Sequence, residues 1–469
     1  MLSACAAGGD AIQPEALVSD LGNLSSGRGI AQAAPKDQAA VESAWWSAWG
    51  DPQLDRLLTG DAVTAPSIAQ AAARLRLASA GLDGAQADRA LRLDASGRVT
   101  GERFPDHAVY PAPYAGHWGS QGALTASASH ALDFWGRRQQ VQAAAFSRVE
   151  AARAEAQDAR LLLRAAVAEA YVGLDTVYRL RDVAVAGLAR RQGVVELLAT
   201  RERAGLATHI ETTQAQEAIT TTQEEIERLD GEIALHRHQI AALLGRDPAF
   251  ADALARPSVR AMADPVPVSA VPANLLGARP DIAAARAAVE AAAHDMGAAR
   301  AGFYPDVNLV AFAGVQSMGL GHLLRAGSSA AGAGPSVTLP IFDGGRLRAQ
   351  LRGKTAGYDL AVTQYNAALT QALQEVADGL ASLSAAHARQ RQTRDAVASA
   401  SRVLQLLRLR ERQGLVGAMD RLSAETTLLL AERRATEADG RIAMAQVALI
   451  RALGGAWAPS ISFSSGSSK

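Results

Sequence analysis

Arg201-Glu202-Arg203-Ala204-Gly205-Leu206 and Arg410-Glu411-Arg412-Gln413-Gly414-Leu415 are one phrase written twice, with 209 positions between Arg201 and Arg410. The echo spreads outward from it. Glu169, Gly173 and Leu174 are answered by Glu375, Gly379 and Leu380, Gly136-Arg137 by Gly345-Arg346, and Leu244-Gly245 by Leu453-Gly454. A period this long is far from the roughly 20 to 50 residues of solenoid repeats, so the chain is a tandem duplication of one large unit.

The unit is helical. Leu163, Val167, Ala170, Leu174 and Val177 step by four and three, which draws a narrow apolar seam along one helix face, and Leu369, Leu373, Val376, Leu380 and Leu383 repeat it. No proline occurs between Pro113 and Pro248 or between Pro340 and Pro459, so each run can hold very long helices. A single helix over 137–203 would extend roughly 100 Å at 1.5 Å per residue. Abundant alanine and an aromatic content of 4% point to thin, close helix packing; a solvated coiled-coil rod is the alternative. Gly205 and Gly414 follow charged last turns, the usual helix stop. Each half therefore reads as a long helix, a tight turn and a second helix ending near Gly245 or Gly454. The turns are either plain C-caps or, as loops carried on a rigid scaffold, docking points.

Alternating segments precede each long helix. In 124–134 the apolar Leu124, Ala126, Ala128, Leu132 and Phe134 oppose Thr125, Ser127, Ser129 and Asp133, with His130 the exception. Ser336 to Leu339 with Ile341 repeats this briefly, 307–316 offers a third strand, and 94–104 a weak fourth. About ten residues of alternation suits a tilted membrane strand, and a soluble antiparallel sheet is the other reading. Four strands cannot close a membrane barrel, so the membrane reading requires an oligomer.

Leu2-Ser3-Ala4-Cys5 has the form of a bacterial lipobox, and Cys5 is the single cysteine, which leaves no disulfide framework within one chain. Four residues before it are too few for a secretory leader, so either a longer leader precedes Met1 or the match is accidental. Lys+Arg and Asp+Glu are both 47, a formal charge of zero that implies no attraction to nucleic acid. Hydrophobic content is 49%, yet no apolar run reaches the ~18 residues of a membrane helix. Any membrane crossing must be a barrel.

Several phrases together resemble the TolC-like outer-membrane efflux channels, in particular the lipoprotein branch of NodT-type and multidrug-efflux outer-membrane factors. They are Trp45-Trp46 with Trp49, Asp51-Pro52 and Leu54; Ala278-Arg279-Pro280-Asp281-Ile282; Ala298-Ala299-Arg300-Ala301 with Phe303-Tyr304-Pro305; and Leu339-Pro340-Ile341-Phe342-Asp343-Gly344-Gly345-Arg346. The likeness runs from Trp45 to Gly454. Leu91-Arg92-Leu93-Asp94 stands where the family usually has a proline before its first strand.

The resemblance implies a mainly α fold with a membrane β-barrel, in which a homotrimer shares a twelve-stranded barrel, four strands per protomer, above a periplasmic α-barrel of long hairpins. It implies a lipid-anchored bacterial outer-membrane protein, a passive duct working with a periplasmic adaptor and an inner-membrane pump of the resistance-nodulation-division type. The expected layout is a tether over 1–44; a first repeat over 45–245 with a strand pair at 94–134 and a hairpin at 137–245; and a proline-rich linker over 246–274. A second repeat over 275–455 follows, with a strand pair at 306–343 and a hairpin at 344–455, then a tail over 456–469. The strand connections at 105–119 and 319–334 would lie outside the cell. By the same resemblance Cys5 carries lipid, Gly205, Leu206, Thr208, Gly414 and Leu415 meet the adaptor, and Asp420 faces the periplasmic aperture. Relatives often add a second acid where this chain has Ser423 and a basic latch partner where it has Val416. The three tryptophans read as core.

No chemistry competes with this reading. The sequence has no GxSxG elbow, P-loop or HExxH, and His236 and His238, two apart, point to different sides of a helix. No catalysis, cofactor or metal is expected, apart from the lipid on Cys5. The alternatives are a lipidated periplasmic adaptor, which two long hairpins and the lack of a β-rich tail disfavour, and a soluble helical scaffold.

Overall fold

The computed structural model describes residues 12–19, 44–110, 112–259 and 279–455. Cys5, the tail and the linker beyond residue 259 lie outside them. The elements run α1 (Pro52–Thr59), α2 (Pro66–Ala87), β1 (Arg92–Arg103), β2 (Trp118–Leu132), α3 (Arg137–Arg203), α4 (His209–Leu243), α5 (Pro248–Asp252), α6 (Pro280–Ala301), β3 (Asp306–Met318), β4 (Ser329–Thr338), α7 (Arg346–Arg412) and α8 (Ala418–Ala452). Helices α3 and α7 are 67 residues each and α4 and α8 are 35 each, so the two hairpins match in length.

The chain divides into two compact units. One holds the strands with the adjoining stretches of α2, α3, α6 and α7, over 74–153 and 284–365. Its sheet is antiparallel in the order β1-β2-β3-β4, so the long-range pairing of β2 with β3 joins the two repeats and leaves β1 and β4 as edges. Register decides what each face carries. Ala126 stands between Ala95 and Ala313, and Ala313 pairs with Ala331; Ala128 lies between Leu93 and Ala311, and Val307 between Leu132 and Val337. Period-two pleating therefore gathers the apolar residues of all four strands on one face. The opposite face carries Asp94, Ser96, Arg98 and Thr100 beside Thr125, Ser127 and Ser129, with Val310 and Phe312 the apolar exceptions that blur the alternation of β3. Leu93, Val99, Leu124, Leu309 and Val337 are all exposed, so among the described residues most of the apolar face is uncovered, while Leu320 and Leu323 lie over Gly122 at one end.

The strands correct the sequence reading at their ends. β1 begins at Arg92 rather than 94, and Trp118 and Gly119, expected in a loop, belong to β2. β4 begins at Ser329, which shortens the expected 319–334 connection, and it ends before Ile341. After Ser329 its first half is alanine and glycine, so it has no polar-apolar alternation to read, and its pairing is set by the backbone ladder with β3. At both strand-to-helix turns an aspartate caps the long helix. Asp133 accepts the N–H groups of Arg138 and Gln139 at 3.2 and 2.8 Å, and Asp343 accepts those of Gly345 and Leu347 at 3.0 and 2.8 Å. These two backbone bonds, with that from Leu347 the stronger, hold the Asp343 carboxyl below its ordinary value.

The other unit contains the hairpin portions of the helices with α1, α4, α5 and α8, over 44–73, 154–259, 279–283 and 366–455 among the described residues. The seam of α3 is buried throughout, from Leu163 to Val177. On α7, Leu369, Val376 and Leu383 are buried, while Leu373 and Leu380 are half-buried, so the second seam is a narrower stripe than the first. Trp45, Trp46 and Trp49 pack edge to face, with centroids 5.6 Å apart, and are buried as core.

Candidate functional site

The hairpin tips are built alike. α3 stops at Arg203 because Gly205 turns left-handed, φ 70°, and the N–H of Leu206 reaches back to the carbonyl of Arg201 at 2.8 Å. The second tip repeats this with Gly414 at φ 74° and the Leu415 N–H on the Arg410 carbonyl at 3.0 Å. The turn thus needs glycine, and the residue after it is thrown outward: Leu206 is 78% and Leu415 68% exposed. Each turn therefore presents one large apolar side chain to water. Below them Val194, Leu198, Ala215, Ala418 and Leu422 form one buried cluster joining the two hairpins.

The tips differ in how the return helix starts. Thr208 caps α4 in a reciprocal box: its hydroxyl accepts the Glu211 N–H at 3.3 Å, and the Glu211 carboxylate accepts the Thr208 N–H at 2.7 Å. That backbone bond, with a second from the Thr208 hydroxyl, lowers the Glu211 pKa. At the second tip Gly417 has no side chain, so only the return bond exists, from its N–H to the exposed Asp420 carboxylate at 3.0 Å.

Charged pairs fasten the hairpins behind the tips. Glu411 and Glu425 are buried and share Arg421, at 3.5 and 3.1 Å, while Arg201 approaches Glu411 at 3.8 Å and Arg408 approaches Glu425 at 3.2 Å. Arg190 grips Glu432 with two bonds of 3.1 and 2.6 Å, tying α3 to α8. Buried Arg191 donates to the Ala218 carbonyl at 2.8 Å, to Thr426 at 3.2 Å and to Thr222, and burial pulls its pKa down.

Two buried hubs explain phrases the sequence presented only as motifs. Asp51 caps α1 through the N–H groups of Gln53 and Leu54, and also accepts the Tyr171 hydroxyl at 2.8 Å and the Ser258 N–H at 2.7 Å. Burial opposes its charge, but these four donors outweigh it and keep the carboxyl below its usual range. Burial first, and then the bond to Asp51, push the Tyr171 phenol up. Arg279 donates to Asp281, Glu375 and the Ala452 carbonyl at 2.8, 2.9 and 2.9 Å, so the Arg-Pro-Asp phrase locks the start of α6 to α7 and α8. The sequence reading missed both partner sets, since Tyr171 and Ser258 lie 120 and 207 positions from Asp51. A proline following each charged residue, marking a helix start, was the available signal. Among the described residues no helix is long and apolar enough to cross a membrane, and no group of His, Cys, Asp and Glu has metal-binding geometry.

Comparison with known proteins gives this architecture its place. The family model described as outer membrane efflux protein matches residues 62–246 and 271–455, one copy to each repeat. The fusaric acid resistance protein FusA of Burkholderia cepacia is 35% identical over 366 residues, spanning 76% of this chain and 68% of that protein. The outer membrane protein OprJ of Pseudomonas aeruginosa is 31% identical over 428 residues, spanning 91% and 89%. The crystal structure of the outer membrane protein VceC from Vibrio cholerae superposes with a TM-score of 0.82 at 36% identity, covering 87% of this chain and 98% of that one. The chain belongs to the outer membrane efflux protein family and is an outer-membrane efflux channel protein of TolC-like fold.

Proposed function

We propose that three copies of the chain form a passive duct, pairing β1 of one protomer with β4 of the next into a twelve-stranded barrel. The reading rests on one observation above the others: a four-stranded sheet whose outer strands β1 and β4 have unpaired edges and whose apolar face, interrupted by His130, is largely uncovered among the described residues. Closure by neighbouring copies satisfies the edges and turns the apolar face to lipid. Small toxic organic compounds are the exported class in this reading, supported by the resistance named for the FusA relative. The duct receives them from an inner-membrane pump of the resistance-nodulation-division type through a periplasmic adaptor.

The adaptor docks on the tips, where Leu206 and Leu415 supply the apolar knobs, Gly205 and Gly414 the turns, and Thr208 a cap that the second tip lacks. Leu206→Asp and Leu415→Asp are each expected to abolish drug export in cells while leaving trimer abundance unchanged on non-denaturing gels. Normal export by both removes the tips from the mechanism. Lipid on Cys5 supplements the barrel as an anchor, since acyl chains hold more weakly than an inserted span. The mass of the amino-terminal peptide of the membrane-extracted protein decides this, an unmodified Cys5 ruling lipidation out. Asp420 is the proposed aperture residue.

A further inference from the structure

The helix-side ends of the strands carry a feature that channel function does not require. Trp135 and Tyr304 stack with centroids 4.8 Å apart and planes 19° from parallel, both exposed, over a cleft of about 200 Å³ that Arg137 and Arg138 also line. Phe134, Ile341 and Phe342 are exposed at the same ends of β2 and β4. The next residues are cationic in both repeats: α3 opens Arg137-Arg138 and α7 opens with Arg346 and Arg348, and neither helix has an acid in its first turn. Cations at a helix start work against the helix dipole, so the duplicated placement is not explained by helix stability. Arg138 is engaged by the Asp88 carbonyl at 3.0 Å and Asp306 at 4.0 Å, and Arg346 lies in the field of Asp343. Arg137 and Arg348 are exposed and have no ion pair with any described carboxylate. Asp88, Asp133 and Asp306 line the same cleft, so the cationic rim rests on Arg137 and Arg348, which make no ion pair among the described residues; exposed aromatic and apolar side chains bordered by such arginines have the polarity of a membrane interface.

We propose that this collar binds anionic phospholipid, Arg137 and Arg348 pairing with headgroup phosphates while Trp135 and Tyr304 lie against the glycerol and upper acyl region. The inference rests on the membrane reading of the sheet. It is tested on the full-length trimer in nanodiscs of phosphatidylcholine with a minor fraction of phosphatidylglycerol, counting by native mass spectrometry the lipids that stay bound on release. Phosphatidylglycerol is expected to be retained in excess of its fraction, and Arg137→Gln and Arg348→Gln each to reduce that excess about fivefold, the effect of one cation near an anionic surface. Arg348→Lys should keep most of it.

Should a variant fail to assemble, the unmodified trimer still decides the matter, because the excess must fall as salt is raised. Millimolar inorganic phosphate is expected not to displace the lipid; displacement would make this a site for free phosphate and overturn the proposal. A trimer that enters phosphatidylcholine bilayers but shows no excess of phosphatidylglycerol also overturns it, with the barrel intact. A chain that enters no bilayer overturns the membrane reading and the collar together.

Discussion

Asp420 and Glu211 hold equivalent places, each three residues into a return helix and each reaching back to the N–H of its cap, but only Glu211 has a hydroxyl answering it. With Gly417 as its cap, Asp420 spends one lone pair on the helix and keeps the rest of an exposed carboxylate for the surroundings. In a threefold assembly that remainder becomes three like charges around one axis, which repel each other and favour bound cations. Asp420→Ala is therefore expected to weaken block by multivalent cations and lower cation preference in planar bilayers, with a smaller change in conductance. Asp420→Asn preserves an acceptor for the Gly417 N–H and removes only the charge, so it should behave like the alanine variant. If block and selectivity are unchanged in both, Asp420 serves only as the end charge of α8. Asp420 was singled out by the resemblance to the channel family; what the structure gives is its place in the first turn of α8. The missing half of its cap follows from Gly417 standing where the first repeat has Thr208.

At the scale of elements, the long helices were the most legible part because their determinants are local: proline-free runs, a four-three seam and a glycine stop. The limits of α3, Arg137–Arg203, fall where those signals place them. What the helices do to each other was not legible. Gly173 and Gly379, noted in the sequence only as repeats, are points of close approach: a Cβ on Gly173 would meet the His236 ring at 2.7 Å, and one on Gly379 would meet Leu449 at 3.1 Å. Glycine costs about 1 kcal/mol relative to alanine inside a helix, so packing rather than propensity accounts for it at both places. The buried pairs of Glu411 and Glu425 were equally hidden. On paper they are members of charged helix faces, and only the approach of α3, α7 and α8 takes them out of water. β4 was legible only at Ser336 to Thr338, since the alanines and glycines over 330–334 carry no pattern until the partner β3 is known.

At the scale of the whole molecule, the membrane claim reduces to one asymmetry between the faces of the sheet. Ala126 and Ser127 are neighbours in the middle of β2 and share every property of their strand except direction: Ala126 stands among Ala95 and Ala313, Ser127 among Asp94 and Phe312. If the first face meets hydrocarbon, an arginine at 126 must be buried in lipid near the centre of the bilayer, which costs about 2–4 kcal/mol in membrane barrels. An arginine at 127 enters a water-filled lumen beside Asp94, where a surface-like change within about 0.5 kcal/mol is expected. Ala126→Arg should accordingly lower the denaturant midpoint of the refolded trimer and its yield in outer membranes, while Ser127→Arg leaves both near the unmodified values. A soluble sheet reverses the ranking or abolishes it, because water on both faces makes arginine tolerable at either position. Equal midpoints for the two variants would therefore remove the barrel from the description, whatever the helices resemble.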